Sequence, residues 1–231
     1  GRLYEDAETS LLERLAKELP LVVVDDPDPA YRQSLKMSTL AELAVVECGA
    51  EWIVPFDADE LWVSRGGRRI RDVLPGWSRK VVRADLFNHL CTALDTPDPD
   101  PFRSMVWRQR KPAELPKMAF RWESGAVIHQ GNHGVTLPSV EAWLANWLQD
   151  EIEDKPTGVS AMIRRLYGLD DDPPLEIRHF PVRSPQHLVS KARNGSGAYA
   201  AAPELPEEMG NHWRAWGRLL EALGEDALHT A

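Results

Sequence analysis

The chain has 231 residues, of which 43% are hydrophobic and 27% charged, and its formal net charge of -9 gives an isoelectric point near 5.3. This length suffices for one large folded unit, and we expect a single domain over residues 1–231. The acidic balance argues against nucleic acid and anionic membranes as partners. Two cysteines without metal spacing and no apolar run of the ~20 residues that span a bilayer predict a cytoplasmic protein without a transmembrane segment.

The first hundred residues read as alternating helices and strands. An amphipathic leucine pattern predicts a helix that begins after Asp6 and ends at Pro20, and an apolar run predicts a strand over 21–24. A second helix follows and ends at Gly49, and another apolar run predicts a strand over 52–56. Strand, helix and strand in this order favour a parallel pair covered by helices.

In the rest of the chain, predicted short strands are followed by predicted helices. Short strands are predicted over 80–86, 102–107, 118–122 and 126–130, which suggests a mixed or antiparallel extension of the sheet. Helices return after Ser139, with Trp143 and Trp147 on one stripe, and a strand over 175–180 precedes a helix that starts at Ser184. The last helix is predicted over 207–223. The predicted fold class is therefore α/β, a mixed sheet flanked by helices with further helices at the C-terminal end.

Three acidic residues follow directly on the strand predicted over 52–56. Asp57 and Asp59 are one residue apart, and Glu60 comes next. Two carboxylates at a strand end can turn toward one hard cation, and Mg²⁺ or Mn²⁺ prefers such oxygen ligands. A solvated acidic turn is the plain alternative. A phosphatase that uses the first Asp as nucleophile is a weaker one, because the Thr or Val that such enzymes usually have two residues after the second Asp is absent here.

Two histidines are the other candidates for chemistry. His179 lies in the strand over 175–180 and could complete a metal site that the carboxylates begin, or it could be an ordinary core residue. Arg183 and Lys191 flank the start of the next helix, whose free N–H groups also suit a phosphate. His133 lies on a Gly-Asn-His-Gly turn, where a general base, a contact to a hydroxyl group and an ordinary turn all remain possible.

These motifs resemble those of glycosyltransferase family 2, in its bacterial subfamily. The stretch WIVPFDADEL at 52–61 is similar to the family's metal-binding Asp-x-Asp segment, IRHFPVRS at 177–184 with Lys191 and Gly195 is similar to its His segment, and the turn at 131–133 is similar to its middle segment. The resemblance implies a GT-A fold, with the nucleotide-binding part at about 1–90 and the acceptor side at about 91–231. It also implies that the first strand and helix of such a fold would precede Gly1.

The resemblance further implies a reaction, the transfer of a sugar from a nucleoside diphosphate sugar to the hydroxyl group of a carbohydrate or other acceptor, with inversion expected. In that reaction Asp57 and Asp59 hold Mn²⁺ or Mg²⁺ against the diphosphate, His179 is a third ligand, and Arg183 and Lys191 assist the leaving diphosphate. Glu60 and His133 are then the candidates for the catalytic base. A phosphate-ester hydrolase and a non-catalytic carbohydrate-binding domain are the alternatives.

Overall fold

In the computed structural model, which describes residues 11–95, 100–139, 173–206 and 209–224, helices flank a five-stranded mixed sheet. The strands of this sheet are β1 (Trp52–Ile53), β2 (Glu60–Ser64), β3 (Val81–Asn88), β4 (Lys117–Arg121) and β7 (Leu175–His179). A separate hairpin is formed by β5 (Val127–Ile128) and β6 (Val135–Thr136). The predicted α/β class with a mixed sheet is confirmed at this level.

The helices lie before, between and after the strands. They are α1 (residues 11–18 of the described part), α2 (Gln33–Cys48), α3 (Ile70–Val73), α4 (Pro101–Ser104), α5 (Pro185–Ala200) and α6 (Asn211–Leu223), with 3₁₀ turns at Leu74–Gly76 and Gln130–Asn132. Within the described ranges, none of the helices has both the length and the apolar character that crossing a membrane requires. The predicted helix with Trp143 and Trp147 lies outside the described residues.

The sheet has the strand order β1-β4-β3-β7-β2, and within it only β3 and β7 run parallel. The predicted parallel pair is therefore wrong. Residues 21–24 form no strand, and Val22 and Val23 are 57% and 51% exposed, so the apolar run there does not enter the sheet. The strand predicted over 52–56 is shorter than expected, since β1 ends at Ile53.

Local sequence signals located most other elements correctly. α2 ends as predicted at Gly49, whose left-handed backbone (φ 63°) lets its N–H reach the last free carbonyls of the helix. β3, β4, β5 and β7 lie within two residues of the predicted bounds. The strand predicted over 102–107 is wrong, because the Asp100 carboxylate accepts a hydrogen bond from the N–H of Phe102 and starts α4 instead.

Apolar side chains cover both faces of the sheet. On β4, Met118 and Phe120 pack into a cluster beneath α2, whereas Ala119 points to the opposite face and meets Leu175 and Ile177 of β7. Burial of this kind stabilises a domain by roughly 1.5–3 kcal/mol for each large side chain. With both faces covered, polar groups can gather only beyond the ends of the strands.

α5 and α6 form a helical pair beside those strand ends. Two glycines allow the helices to approach closely, since a Cβ on Gly195 would lie 2.7 Å from the indole of Trp213 and one on Gly217 would lie 2.5 Å from Ser196. The backbone N–H of Tyr31 donates to the carbonyl of Ala198 over 3.1 Å and joins α5 to the start of α2. The pair thereby forms one wall of a cleft above the strand ends.

Candidate functional site

The acidic residues form a tight turn between β1 and β2. The N–H of Glu60 donates to the carbonyl of Asp57 over 3.0 Å, and the N–H of Asp57 donates back to Glu60 Oε2 over 3.3 Å. Glu60 is the first residue of β2, whereas Asp57 and Asp59 lie in the loop that follows β1. The turn therefore fixes the directions of all three carboxylates before any ligand binds.

Strand pairing places His179 next to this turn. His179 is the last residue of β7, and its register partners are Asn88 on the parallel strand β3 and Glu60 on the antiparallel strand β2. The carbonyl of Asp59 also accepts a hydrogen bond of 2.9 Å from the N–H of Phe180. Asn88, His179 and Glu60 therefore lie side by side on three neighbouring strands, and Asp59 lies next to them.

The imidazole of His179 is oriented by Asn88. His179 Nδ1 lies 2.7 Å from Asn88 Oδ1, while the amide nitrogen of Asn88 donates to Gln109 Oε1 over 3.1 Å. Nδ1 is therefore the donor, and the Nε2 of a neutral ring carries a lone pair. This Nε2 lies 3.6 Å from Asp59 Oδ2, too far for a good hydrogen bond, so two electron-rich atoms face each other. Such a pair is suited to hold a cation between them.

Lys191 supplies a positive charge on the other side of Asp59. Its Nζ lies 2.5 Å from Asp59 Oδ2 and is presented by α5, whose first turn is capped by the hydroxyl of Ser184. Burial alone would raise the pKa of Asp59, but the hydrogen bond and the positive charge of Lys191 oppose burial, and that pKa lies well below its usual range. Asp59 is therefore a carboxylate at any physiological pH.

A second lysine, Lys117, neutralises the other two acids. Its Nζ forms ion pairs with Glu60 Oε1 and, over 2.6 Å, with Asp57 Oδ2, although the whole residue is only 2% exposed. Burial raises the pKa of Glu60, and the ammonium group of Lys117 opposes this effect. The sequence analysis missed Lys117 because a lysine at the start of a strand usually points to solvent. Its place on the same face of β4 as Ala119 was the available signal.

The second carboxylate oxygen of Asp57, Oδ1, also accepts hydrogen bonds. Asp57 Oδ1 accepts hydrogen bonds from Gln33 of α2 over 3.0 Å and from Asn132 over 3.3 Å. Asn132 is 1% exposed and holds a left-handed backbone conformation with φ 61°, and its own Oδ1 has no partner among the described residues. Asp57 consequently ties the acidic turn to the Gly-Asn-His turn, and it stands outside the closest group of candidate metal ligands.

His133 faces the same cleft from the Gly-Asn-His turn. Its Nδ1 lies 3.0 Å from the carbonyl of Pro116 and must donate to it, which leaves a lone pair on Nε2. Burial lowers the pKa of His133, and the nearby Lys117 contributes to the same direction. The ring is therefore neutral at physiological pH and able to accept a proton.

The cleft that these groups share has a volume of about 1480 Å³. It is lined by every site residue predicted from the sequence, namely Asp57, Asp59, Glu60, His133, His179, Arg183 and Lys191. Arg183 Nη2 lies 2.9 Å from His187 Nε2, and among the described residues Arg183 pairs with no carboxylate. Arg110 and Lys111 line the opposite wall. The cleft is thus rich in cations although the chain as a whole is acidic.

The donor set suits a divalent cation at one position. Asp59, Glu60 and His179 each offer one ligand atom, and these atoms lie within 4.8 Å of one another. Both oxygens of Glu60 are already engaged, so Asp59 and His179 are the pair that is available, with Lys191 in competition for Asp59. Carboxylate oxygen and imidazole nitrogen together are ligands that Mn²⁺ accepts. The residues therefore fit the predicted ion through Asp59 and His179 better than through Asp57.

The residues that the sequence analysis missed are mainly those that hold others in place. Gln33, Asn88 and Lys117 orient Asp57, His179 and Glu60 from distant parts of the chain, and no local motif marks them. No protein-family model, curated protein sequence or solved structure matches this chain.

Proposed function

We propose that this protein is a metal-dependent glycosyltransferase with a GT-A-like fold, which moves a sugar from a nucleoside diphosphate sugar to an acceptor hydroxyl group. One observation carries the proposal. The carboxylate of Asp59 and the lone pair of His179 face each other across 3.6 Å in a large cleft that also presents Lys191 and Arg183. A cation site next to positive side chains is the arrangement that a diphosphate needs.

The protein's own groups each have a role in this reaction. Mn²⁺ or Mg²⁺ bound by Asp59 and His179 would offset the charge that develops on the leaving diphosphate. Arg183, which lines the cleft, offers hydrogen bonds to the phosphate oxygens. Lys191 can exchange Asp59 for a phosphate oxygen, since its long side chain reaches both from α5.

Of the two predicted base candidates, His133 has the better geometry. His133 lines the cleft, its Nδ1 is engaged by the carbonyl of Pro116, and burial lowers the pKa of the ring, so that Nε2 is available as an acceptor. The Glu60 side chain is 1% exposed, and its oxygens are occupied by Lys117 and the N–H of Asp57. Glu60 is therefore the group that positions Lys117, and His133 is the proposed acceptor of the hydroxyl proton in an inverting transfer.

The hydrolase alternative requires a free carboxylate as nucleophile. Both oxygens of Asp57, the first Asp of the motif, are engaged by Lys117, Gln33 and Asn132. Attack by Asp57 on a phosphate ester would have to break these bonds first. The geometry therefore favours sugar transfer over ester hydrolysis by this residue.

A thermal-shift experiment tests the proposal. Nucleoside diphosphates should raise the melting temperature only when Mn²⁺ is present, and ligand at a hundred times its Kd should add about 2.7 kcal/mol, or about 5–11 °C for a chain of this size. Asp59→Asn should abolish the shift. Asp72→Asn is the matched control, because that exposed carboxylate pairs with Arg69 in α3 and does not line the cleft.

Two results would overturn the proposal. One is the absence of a Mn²⁺-dependent shift with UDP, GDP, ADP, CDP and dTDP alike. The other is a shift of equal size in the wild type and in Asp59→Asn, since the bound nucleotide would then lie elsewhere. A nucleotide that passes this screen identifies the sugar donor to use in a transfer assay.

A further inference from the structure

α6 places an aromatic ring beside the acidic cluster. Lys191 Nζ lies 2.5 Å from Asp59 Oδ2 and 5.7 Å from the centre of the Trp213 ring. The indole and the carboxylate are thus separated by a single ammonium group. Trp213 lines the cleft and is partly exposed.

The packing of Trp213 distinguishes it from its neighbour Trp216. Trp216 packs against the small core between α5 and α6, together with Val189 and Ala192, whereas Trp213 is not part of that cluster. The two rings meet edge to face at 5.7 Å with an interplanar angle of 80°. Gly195 leaves the space in which the Trp213 ring lies. Trp213 is therefore held rigidly, although it contributes little to the core.

Two polar residues with planar side chains lie near Trp213 in the lining of the cleft. Asn194 and His212 line the cleft and are exposed, and the His212 ring lies 4.7 Å from the Trp213 ring, with the two planes tilted by 47°. Among the described residues, the Asn194 side chain has no hydrogen-bond partner. An aromatic ring with amide and imidazole side chains nearby in the same cleft combines an apolar surface with hydrogen-bonding groups. A pyranose ring has the matching features, an apolar C–H face and a rim of hydroxyl groups.

We infer that a pyranose ring stacks on Trp213 and that Asn194 and His212 form hydrogen bonds with its hydroxyl groups. The assignment of this sugar as the acceptor rests on the proposed function, whereas the binding itself does not. Lys191 lies on α5 and Arg183 lies just before it, where a diphosphate is expected, so the cleft-lining surface of α6 is left for the second substrate. The acceptor is then a carbohydrate.

Fluorine NMR of protein labelled with 5-fluorotryptophan tests this site directly. The chain has nine tryptophans, and the variants Trp213→Phe and Trp216→Phe assign the two resonances by their loss. The probes are methyl glucopyranoside, N-acetylglucosamine and cellobiose, added without metal or nucleotide, with glycerol as a control. We expect at least one saccharide to shift the Trp213 resonance saturably and by more than the Trp216 resonance, while glycerol leaves both unchanged.

The outcomes separate this inference from the proposed function. The saccharide response should persist in Asp59→Asn, which abolishes the nucleotide shift. The pyranose site is refuted if no saccharide moves the Trp213 resonance, or if uridine moves it and the saccharides do not. Neither result bears on the Mn²⁺-dependent nucleotide shift, which is tested separately. If the saccharides act and the nucleotide shift is absent, the site stands and the transferase proposal fails.

Discussion

Replacing Lys117 by Met should lower the free energy of unfolding by about 3–5 kcal/mol at neutral pH, the usual cost of removing one partner of a buried ion pair. The estimate applies because the side chains of Lys117 and Glu60 are only 3% and 1% exposed, so water cannot replace the lost ammonium group. Asp57, at 38% exposure, can be solvated and should contribute little to the loss. At about 2–4 °C per kcal/mol, the melting temperature should fall by about 6–20 °C.

The pH dependence of the loss identifies its cause. Burial raises the pKa of Glu60 in the folded protein, and removal of Lys117 takes away the opposing effect. A carboxyl group whose pKa is raised in the folded protein contributes fully to the free energy of unfolding at pH values below its unfolded pKa of about 4.3. This contribution is lost as the pH rises through the pKa of the folded state. Urea unfolding of Lys117→Met should therefore show a smaller loss at pH 5 than at pH 8.

Two further variants make the reasoning refutable. Adding Glu60→Gln to Lys117→Met should restore more than half of the loss, because no buried charge then remains unpaired. Lys80→Met is the matched control, since Lys80 pairs with Glu123 over 2.5 Å but is 38% exposed, and its removal should cost less than about 1 kcal/mol. Equal losses for the two lysines, or no recovery with Glu60→Gln, would show that the buried pair does not have the assigned role.

Three other predictions concern α5 and the acidic turn. Gly195→Ala should cost about 1–3 kcal/mol in urea unfolding because its Cβ would meet the α6 indole at 2.7 Å, whereas Gly197→Ala, with open space around it, should stabilise by about 0.5–1 kcal/mol. Ser184→Ala should cost about 1 kcal/mol in the same assay, since it removes the N-cap acceptor, and an unchanged midpoint would contradict this. Because the pKa of Asp59 is lowered in the folded protein, its carboxylate adds to the free energy of unfolding above its unfolded pKa of about 3.9, and this contribution is lost as the pH falls. The variant Asp59→Asn should therefore lose less stability than the wild type on acidification.

Local signals in the sequence were sufficient to predict the helix ends that depend on capping groups. The stop at Gly49 and the start at Ser184 depend on a few backbone groups, and both were located to the residue. Sheet topology depends on which faces become covered, which an apolar run does not reveal. Residues 21–24 and 52–56 have equally apolar patterns, yet only Trp52 and Ile53 joined the sheet. β2 was missed because it begins with the acidic Glu60.

For the candidate site, the sequence identified the groups but not their partners. Asp59, His179 and Lys191 carry motif signals, and the structure brings them together. The burial of Lys117 had a signal in the sequence, but its pairing with Glu60 could not be predicted, since it results from the position of β4 relative to the acidic turn. The same applies to Asn88, which orients His179 only because β3 and β7 are parallel and in that register. The assigned roles of all these groups stay predictions.

The order in which the chain is synthesised gives the pairing of Asp59 a further consequence. Lys191 follows Asp59 by 132 residues, so at roughly 5–20 residues per second the ribosome supplies this partner about 7–26 s later. During that interval the nascent chain carries an acidic turn without the strand and helix that neutralise it. Acquisition of the ligand-binding state must then follow translation of α5. Nascent chains arrested before β7 would retain α2, β3 and β4 but could not bind a metal and a nucleotide at this turn.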